Sequence, residues 1–445
     1  PPSGGCVQLW RQPIPPKMSV HSTIYSRMTM RSRVGDTGTL AVHLASDTAM
    51  RKLLREGVGV TALQKAYLEL CYDAHPAVKP SKELLHQLGT GDLVWNFTVA
   101  DKQETAVVAA LLKSKEVVEG LRTAVLSAGG AGCYSARKRT VVSRTARKRP
   151  GQPPAPHDKD PKGEAALFDT LCKVLPQLQG LTTLDLEGLR TAFGKTGEGA
   201  WKLARGLRGN TKLKALTVQG VVLSDPRALT ALSMALAAHT SLVSLGMTAC
   251  GLTAEPGARL LAMVIKSHTN RRNTQVWSAG LRKPFRYPNT AAGAPYRIAA
   301  GGLLLLDLSG NRLLDKGVLA LARGLQNDTW LVGINLSDNG VTNHGAQLLS
   351  VCLQHNSTLC ALVLDGTPHV DEEAEAAVQA QLEGRAMPEV VMLEPQAILC
   401  LAHWGYAANA HGSTTTAAAG AASATAGAPG GQAERLEGVR GFSRG

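Results

Sequence analysis

Aromatic residues make up only 4% of the 445-residue chain, so packing must fall to leucine and alanine, as stacked repeats require, and not to rings. The eight cysteines are scattered and include no C-x-x-C pair. That argues against a disulfide framework or a zinc site and suits a reducing compartment. No apolar run reaches the roughly 18 residues of a membrane helix, so no span is expected. None of the twelve histidines stands in H-E-x-x-H spacing, and G-x-S-x-G does not occur. No catalytic residue, metal ligand or cofactor site is therefore expected, and the chain is read as no enzyme. Sequons at Asn96, Asn327 and Asn356 carry no weight without a secretory signal. The chain opens on Pro1, not methionine, and is expected to be a fragment or the product of a partial gene model.

The net charge of +14 is local. Arg137 to Arg149 carries seven basic residues and Lys266 to Arg297 another seven, with no acid in either stretch. Outside them basic and acidic residues balance at 34 each, unlike a nucleic-acid binder with a basic recognition face. Neither specific nucleic acid nor membrane is expected as a partner, and the oligomeric state stays open.

What is present is a period. Leu303-x-x-Leu306-x-Leu308-x-x-Asn311-x-Leu313 is followed 28 residues later by Leu331-x-x-Ile334-x-Leu336-x-x-Asn339-x-Val341, and then by Leu359-x-x-Leu362-x-Leu364. Leu242-x-x-Leu245-x-Met247-x-x-Cys250-x-Leu252 fits the same template. A repeat of this length with one strand and one helix per unit predicts an α/β leucine-rich-repeat solenoid of the ribonuclease-inhibitor type. Strand starts are expected at Leu181, Leu213, Leu242, Leu303, Leu331 and Leu359. The 61 residues between Leu242 and Leu303 exceed one repeat, so the helix there is expected to end near His268, with an insertion over about 268–302.

The expected organisation is a variable, poorly ordered stretch (1–60), a helical N-terminal unit (61–126) and a basic Gly/Pro-rich linker (127–162). The repeat domain follows (163–385), then a C-terminal flank (386–405) and a disordered Ala/Gly-rich tail (406–445). Within strands the residues between the leucines face the concave surface. The expected partner-binding positions are Asp185, Glu187, Thr217, Gln219, Thr248, Asp307, Ser309, Asn335, Ser337 and Asp365, suited to a basic or polar ligand. Asn311 and Asn339 stand where a side-chain amide can satisfy backbone groups bared after the strand, and Cys250 holds the same place. Gly188 to Thr196 imitates a phosphate-binding loop, but five residues separate its glycines where four are required. A loop extension is the expectation.

The insertion reads Arg271-Arg272-x4-Trp277-x3-Leu281-Arg282 directly after a repeat helix. Two readings stand side by side. Trp277 and Leu281, four apart, could pack a short helix back onto the solenoid with the arginines paired or solvated. Alternatively, Arg271, Arg272 and Arg282 could form a basic dock for an acidic partner. This motif, together with Tyr67-Leu-Glu-Leu-Cys71, Pro76-Ala-Val78 and Leu93-Val-Trp-Asn-Phe97, resembles the 78-kDa centrosomal protein family over about residues 61–385. The resemblance implies a noncatalytic scaffold of centrosome, centriole and ciliary basal body in the cytoplasm, involved in cilium assembly and centriole duplication. It further implies centrosomal and centriolar protein partners and contact with a ubiquitin-ligase assembly. The alternative is a small-GTPase regulator resembling the Ran GTPase-activating protein, which uses the same repeat type.

Overall fold

The leucines of the template explain the architecture before any contact is considered. With period-2 alternation, every L-x-L places two side chains on one face of a strand. Stacking such strands in parallel merges those faces into one apolar wall that a row of helices can cover. The computed structural model describes residues 60–128, 161–282 and 302–385, apart from positions 76, 98, 99, 101, 195, 367 and 368, and single positions between 391 and 404. The expectations for 1–59, 129–160, 283–301 and 406–445 lie outside the described residues.

Helices α1 (Ala62–Asp73) and α2 (Lys82–Thr90) precede strand β1 (Asp92–Asn96). Helices α3 (Lys102–Leu111) and α4 (Lys115–Gly120) lead to β2 (Thr123–Ser127), and α5 (Pro161–Val174) leads to β3 (Thr183–Glu187). A short α6 (Arg190–Phe193) and α7 (Glu198–Gly209) precede β4 (Ala215–Gln219), and α8 (Pro226–Ala238) precedes β5 (Ser244–Thr248). Then come α9 (Arg259–Arg282), β6 (Leu305–Asp307), α10 (Leu314–Leu325), β7 (Gly333–Asn335), α11 (Asn343–His355), β8 (Ala361–Val363) and α12 (Glu372–Leu382). The eight strands form one parallel sheet in chain order, so each connection crosses over through its helix, as parallel pairing requires.

The helical unit expected at 61–126 needs correcting. That segment contains β1 and β2, and β2 pairs with β3 in register, Ala124 opposite Leu184 and Leu126 opposite Leu186. It is the first part of the solenoid sheet, and its helices share the same apolar core through Tyr67, Leu68, Leu85 and Val108. Helix α1 starts from a reciprocal capping box between Thr61 and Gln64, which satisfies two otherwise bare donors. Asp225 does similar work for α8, its carboxylate accepting from the N–H groups of Arg227 and Ala228.

The post-strand asparagines join repeats to one another. Asn311 donates from Nδ2 to Leu308 O at 2.7 Å within its own repeat and to Met247 O at 2.8 Å in the preceding one. Its Oδ1 accepts from the N–H groups of Cys250 and Leu252, both at 3.0 Å. Asn339 repeats the donor half, reaching Leu336 O and Leu308 O. Cys250 substitutes a thiol, donating to Val218 O at 3.2 Å. Burial pushes that thiol up to about 12, which removes it as a nucleophile. Replacing Asn311 by alanine strands four buried backbone groups, so urea unfolding should show a loss of about 1–3 kcal/mol.

Candidate interaction surface

The strand register brings most of the expected concave positions together. Asp185, Thr217, Gly246, Asp307 and Asn335 are successive partners in one row across β3 to β7. Glu187, Gln219 and Thr248 form the next row. Ser309 and Ser337 lie just past their strands and serve them. Ser309 donates its N–H and Oγ–H to Asp307 Oδ1 at 3.0 and 2.7 Å, and Ser337 donates likewise to Asn335 Oδ1. Asp365 stands exposed in the turn after β8.

Two of these positions are already in use. Asp307 Oδ2 accepts from Asn335 Nδ2 at 3.3 Å and from the indole N–H of Trp404 at 3.0 Å. Asn335 is only 8% exposed. The expected C-terminal flank therefore returns to the sheet, and the C-terminal half of the concave face is not an open docking surface. The N-terminal half keeps Asp92, Asp185 and Glu187 among its outward strand positions, with Arg122 and Lys214 just before β2 and β4, and its three carboxylates suit a basic segment.

The insertion motif is arranged opposite to the packing reading. Helix α9 does not end near His268 but runs to Arg282, because its extension finds partners on both neighbouring repeats. His268 Nε2 bonds Leu236 O at 2.9 Å, Arg271 Nη1 donates to His239 O at 2.8 Å, and Arg271 Nη2 donates to Ala237 O. These carbonyls lie in the last turn and cap of α8, and a cation there also meets the negative end of the helix dipole. Arg385 does the same for α11, donating to Leu353 O, Asn356 O and Leu359 O.

Arg272 is 3% exposed and lies 4.6 Å from the ring centroid of Trp330, a cation–π contact. Burial draws its guanidinium down to about 10 against the upward pull of Asp328 and Glu394. The same burial raises the Asp328 carboxyl, while Thr269 Oγ and the N–H groups of Leu331 and Trp330 hold it down. Asn273 Oδ1 accepts the Trp330 indole N–H at 2.8 Å. Gly302, at φ 138°, leaves the room Arg272 needs, since a Cβ there would collide with the guanidinium.

Trp277, in contrast, is 68% exposed. The arginines pack and the tryptophan does not. Leu281 and Arg282 belong to the α9 backbone, and their side chains lie outside the described residues. Alanine at Trp277 should leave the unfolding free energy within about 0.5 kcal/mol of the parent in a denaturant titration.

A second ladder escaped the sequence reading. At the turn from helix to strand, Asn210 Nδ2 donates to Leu175 O and Leu178 O, and its Oδ1 accepts from Lys212 and Leu213. Asn356 does the same with Leu325 O, Asp328 O, Thr358 and Leu359, which makes it an interior residue and no sugar acceptor. The signal was present as Leu-x-x-Asn-x-x-Leu before Leu213 and Leu359. The start of the phosphate-loop imitation is tied into the fold as well, its Ala192 N–H donating to Glu164 and the Phe193 ring tilted against Phe168 with centroids 5.1 Å apart.

No family model matches the chain. Curated relatives do. The human "Centrosomal protein of 78 kDa" is 31% identical over 177 residues, 40% of this chain and 24% of that protein. The mouse protein of the same name is 30% identical over 177 residues, 40% of this chain and 21% of its own length. The Xenopus tropicalis protein is 33% identical over 102 residues, 23% of this chain and 13% of its own. The matched segment thus spans less than a quarter of these relatives. A solved complex of Rad7 and Elc1 in yeast aligns with 78% of this chain and 91% of that one at 12% identity. Its TM-score of 0.24 gives that likeness no bearing on fold or function. Over that segment the chain is similar to the centrosomal proteins of 78 kDa.

Proposed function

We propose that the chain is a noncatalytic centrosomal scaffold or adaptor that works by protein–protein contact through its repeat surface. The observation that carries this reading is the shared sequence with the centrosomal proteins of 78 kDa. The continuous outward rows of β1 to β4, rich in acids and small polar groups, support binding of a basic or polar segment of a partner. Roles in cilium assembly and centriole duplication, residence at the basal body, and contact with a ubiquitin-ligase assembly are part of the same proposal.

The test is localisation of the tagged chain in ciliated cells. Co-localisation with centriole markers is expected, and a diffuse distribution at endogenous expression would defeat the reading. Asp185→Lys with Glu187→Lys should reduce recovery of centrosomal partners in proximity labelling while leaving the thermal transition in place.

A further inference from the structure

The last four strands carry an apolar surface separate from the solenoid core. In the template L-x-x-L the two middle positions read Thr182-Thr183 and Lys214-Ala215 in the repeats of β3 and β4. They become Val243-Ser244, Leu304-Leu305, Val332-Gly333 and Cys360-Ala361 in the repeats of β5 to β8. Val243, Leu304, Leu305, Val332 and Ala361 are buried there, and what covers them is Val391, Ala397 and Leu401, with Trp404 at the margin.

The covering segment is helical in character. Ile398 N–H donates to Glu394 O, and Trp404 N–H donates to Cys400 O. Glu394, Ala397, Leu401 and Trp404 recur at steps of three and four, which puts them on one helical face. Three polar contacts pin that face: Lys214 Nζ to Glu394 Oε2 at 2.8 Å, Ser244 Oγ to Cys400 Sγ at 3.4 Å, and Trp404 to Asp307. Gly333 completes the seat, because a Cβ there would lie 2.9 Å from Trp404 Cζ3 and 2.7 Å from Leu305 Cδ2.

Among the described residues, the large cluster that runs from Leu63 to Leu382 contains none of 391–404. Beneath the segment, Asp307 and Asn335 keep their hydrogen bonds to Ser309 and Ser337. Lifting it would expose an apolar patch and unpair no backbone of the sheet.

We propose that the segment carrying Val391, Glu394, Ala397, Cys400, Leu401 and Trp404 is a displaceable strap of this chain, docked in cis on the apolar half of its own concave face. That half is a seat for a helix with a small apolar face and an indole donor at one end. Partners read the polar half freely and reach the apolar half only when the strap leaves. The inference deepens the repeat-surface reading, yet its test is made on purified chain and does not depend on centrosomal targeting.

The experiment is mass-spectrometric mapping of N-ethylmaleimide alkylation on the full chain, wild type against Trp404→Ala. Cys250 and Cys352, buried in the main core, report on the solenoid in the same sample. Cys400 should react about tenfold faster in the variant while Cys250 and Cys352 keep their parent rates. A fluorescein-labelled peptide of residues 389–406 should bind Trp404→Ala and not the wild type, whose seat is filled. Gly333→Leu should release Cys400 in the same way from the sheet side. Unchanged Cys400 reactivity in both variants, or acceleration of all three cysteines together, overturns a separable strap. Failure of the peptide to bind Trp404→Ala with a reactive Cys400 overturns the seat. Cys400 protection that fades on dilution of the wild type would assign the strap to a second copy and overturn docking in cis.

Discussion

Acidifying the purified chain from pH 7 towards pH 4 is expected to cost up to about 3 kcal/mol of stability for each of two histidines. His239 and His268 are 4% and 3% exposed, and burial draws both imidazoles down to about 4, helped by the Arg271 guanidinium. In the unfolded chain each titrates near the ordinary value of about 6.5. The unfolded state therefore takes up protons first. The stabilisation is complete above about pH 6.5, falls progressively towards pH 4, and changes no further below that as far as these groups are concerned. Asp328, whose carboxyl burial raises, works in the opposite sense.

Urea unfolding at stepped pH measures the slope, and a double variant isolates the two histidines from the carboxylates. Asparagine suits position 239, since Asn210 and Asn356 hold the equivalent turns. Glutamine at 268 keeps a donor for Leu236 O. The His239→Asn, His268→Gln chain should lose markedly less stability between pH 6.5 and 4.5 than the parent. Parallel slopes would show that the imidazoles are hydrated and not buried.

Charge reversal at Arg272 should be the most damaging single substitution in the motif, at about 3–5 kcal/mol. Arg272→Glu sets a second carboxylate beside Asp328 and Glu394, removes the cation over Trp330, and leaves a buried charge without a counterpart. Arg272→Met keeps much of the volume and should cost less. Arg271→Glu removes the cap on α8 and turns a cation at the helix C-terminus into an anion, for roughly 1–2 kcal/mol. Differential scanning fluorimetry ranks the three. If Arg272→Glu melts with the parent but loses a partner, the arginines are a dock, and the packing assigned to them is wrong.

Much of the architecture was legible because leucine at a fixed spacing has few alternatives. Strands β3 to β8 lie within the template, each beginning two residues after the leucine expected to start it, and the post-strand asparagines do what their chemistry suggests. Strands β1 and β2 were hidden because their inward positions are filled by Leu93 and Trp95, and by Ala124 and Leu126. A tryptophan or alanine in the leucine slot satisfies the core without repeating the letter. The insertion misled for a different reason. Tryptophan is the obvious residue to bury and arginine the obvious one to hydrate, but bare helix-end carbonyls and the face of Trp330 sit where the arginines reach. Neither partner is near in sequence, so no local pattern could announce them. The strap was half visible, in the apolar pairs of the last four repeats, and was passed over because the template leaves those letters free.

The sheet crosses the long interval between Leu242 and Leu303 without a step. Ser244 pairs with Leu305 and Gly246 with Asp307, in the same register as every other adjacent pair. The solenoid therefore keeps count in strands and is indifferent to how many residues separate two of them on the helix side. A foreign domain spliced between Arg282 and Gly302 would be carried as cargo, and the concave rows on either side would keep their spacing.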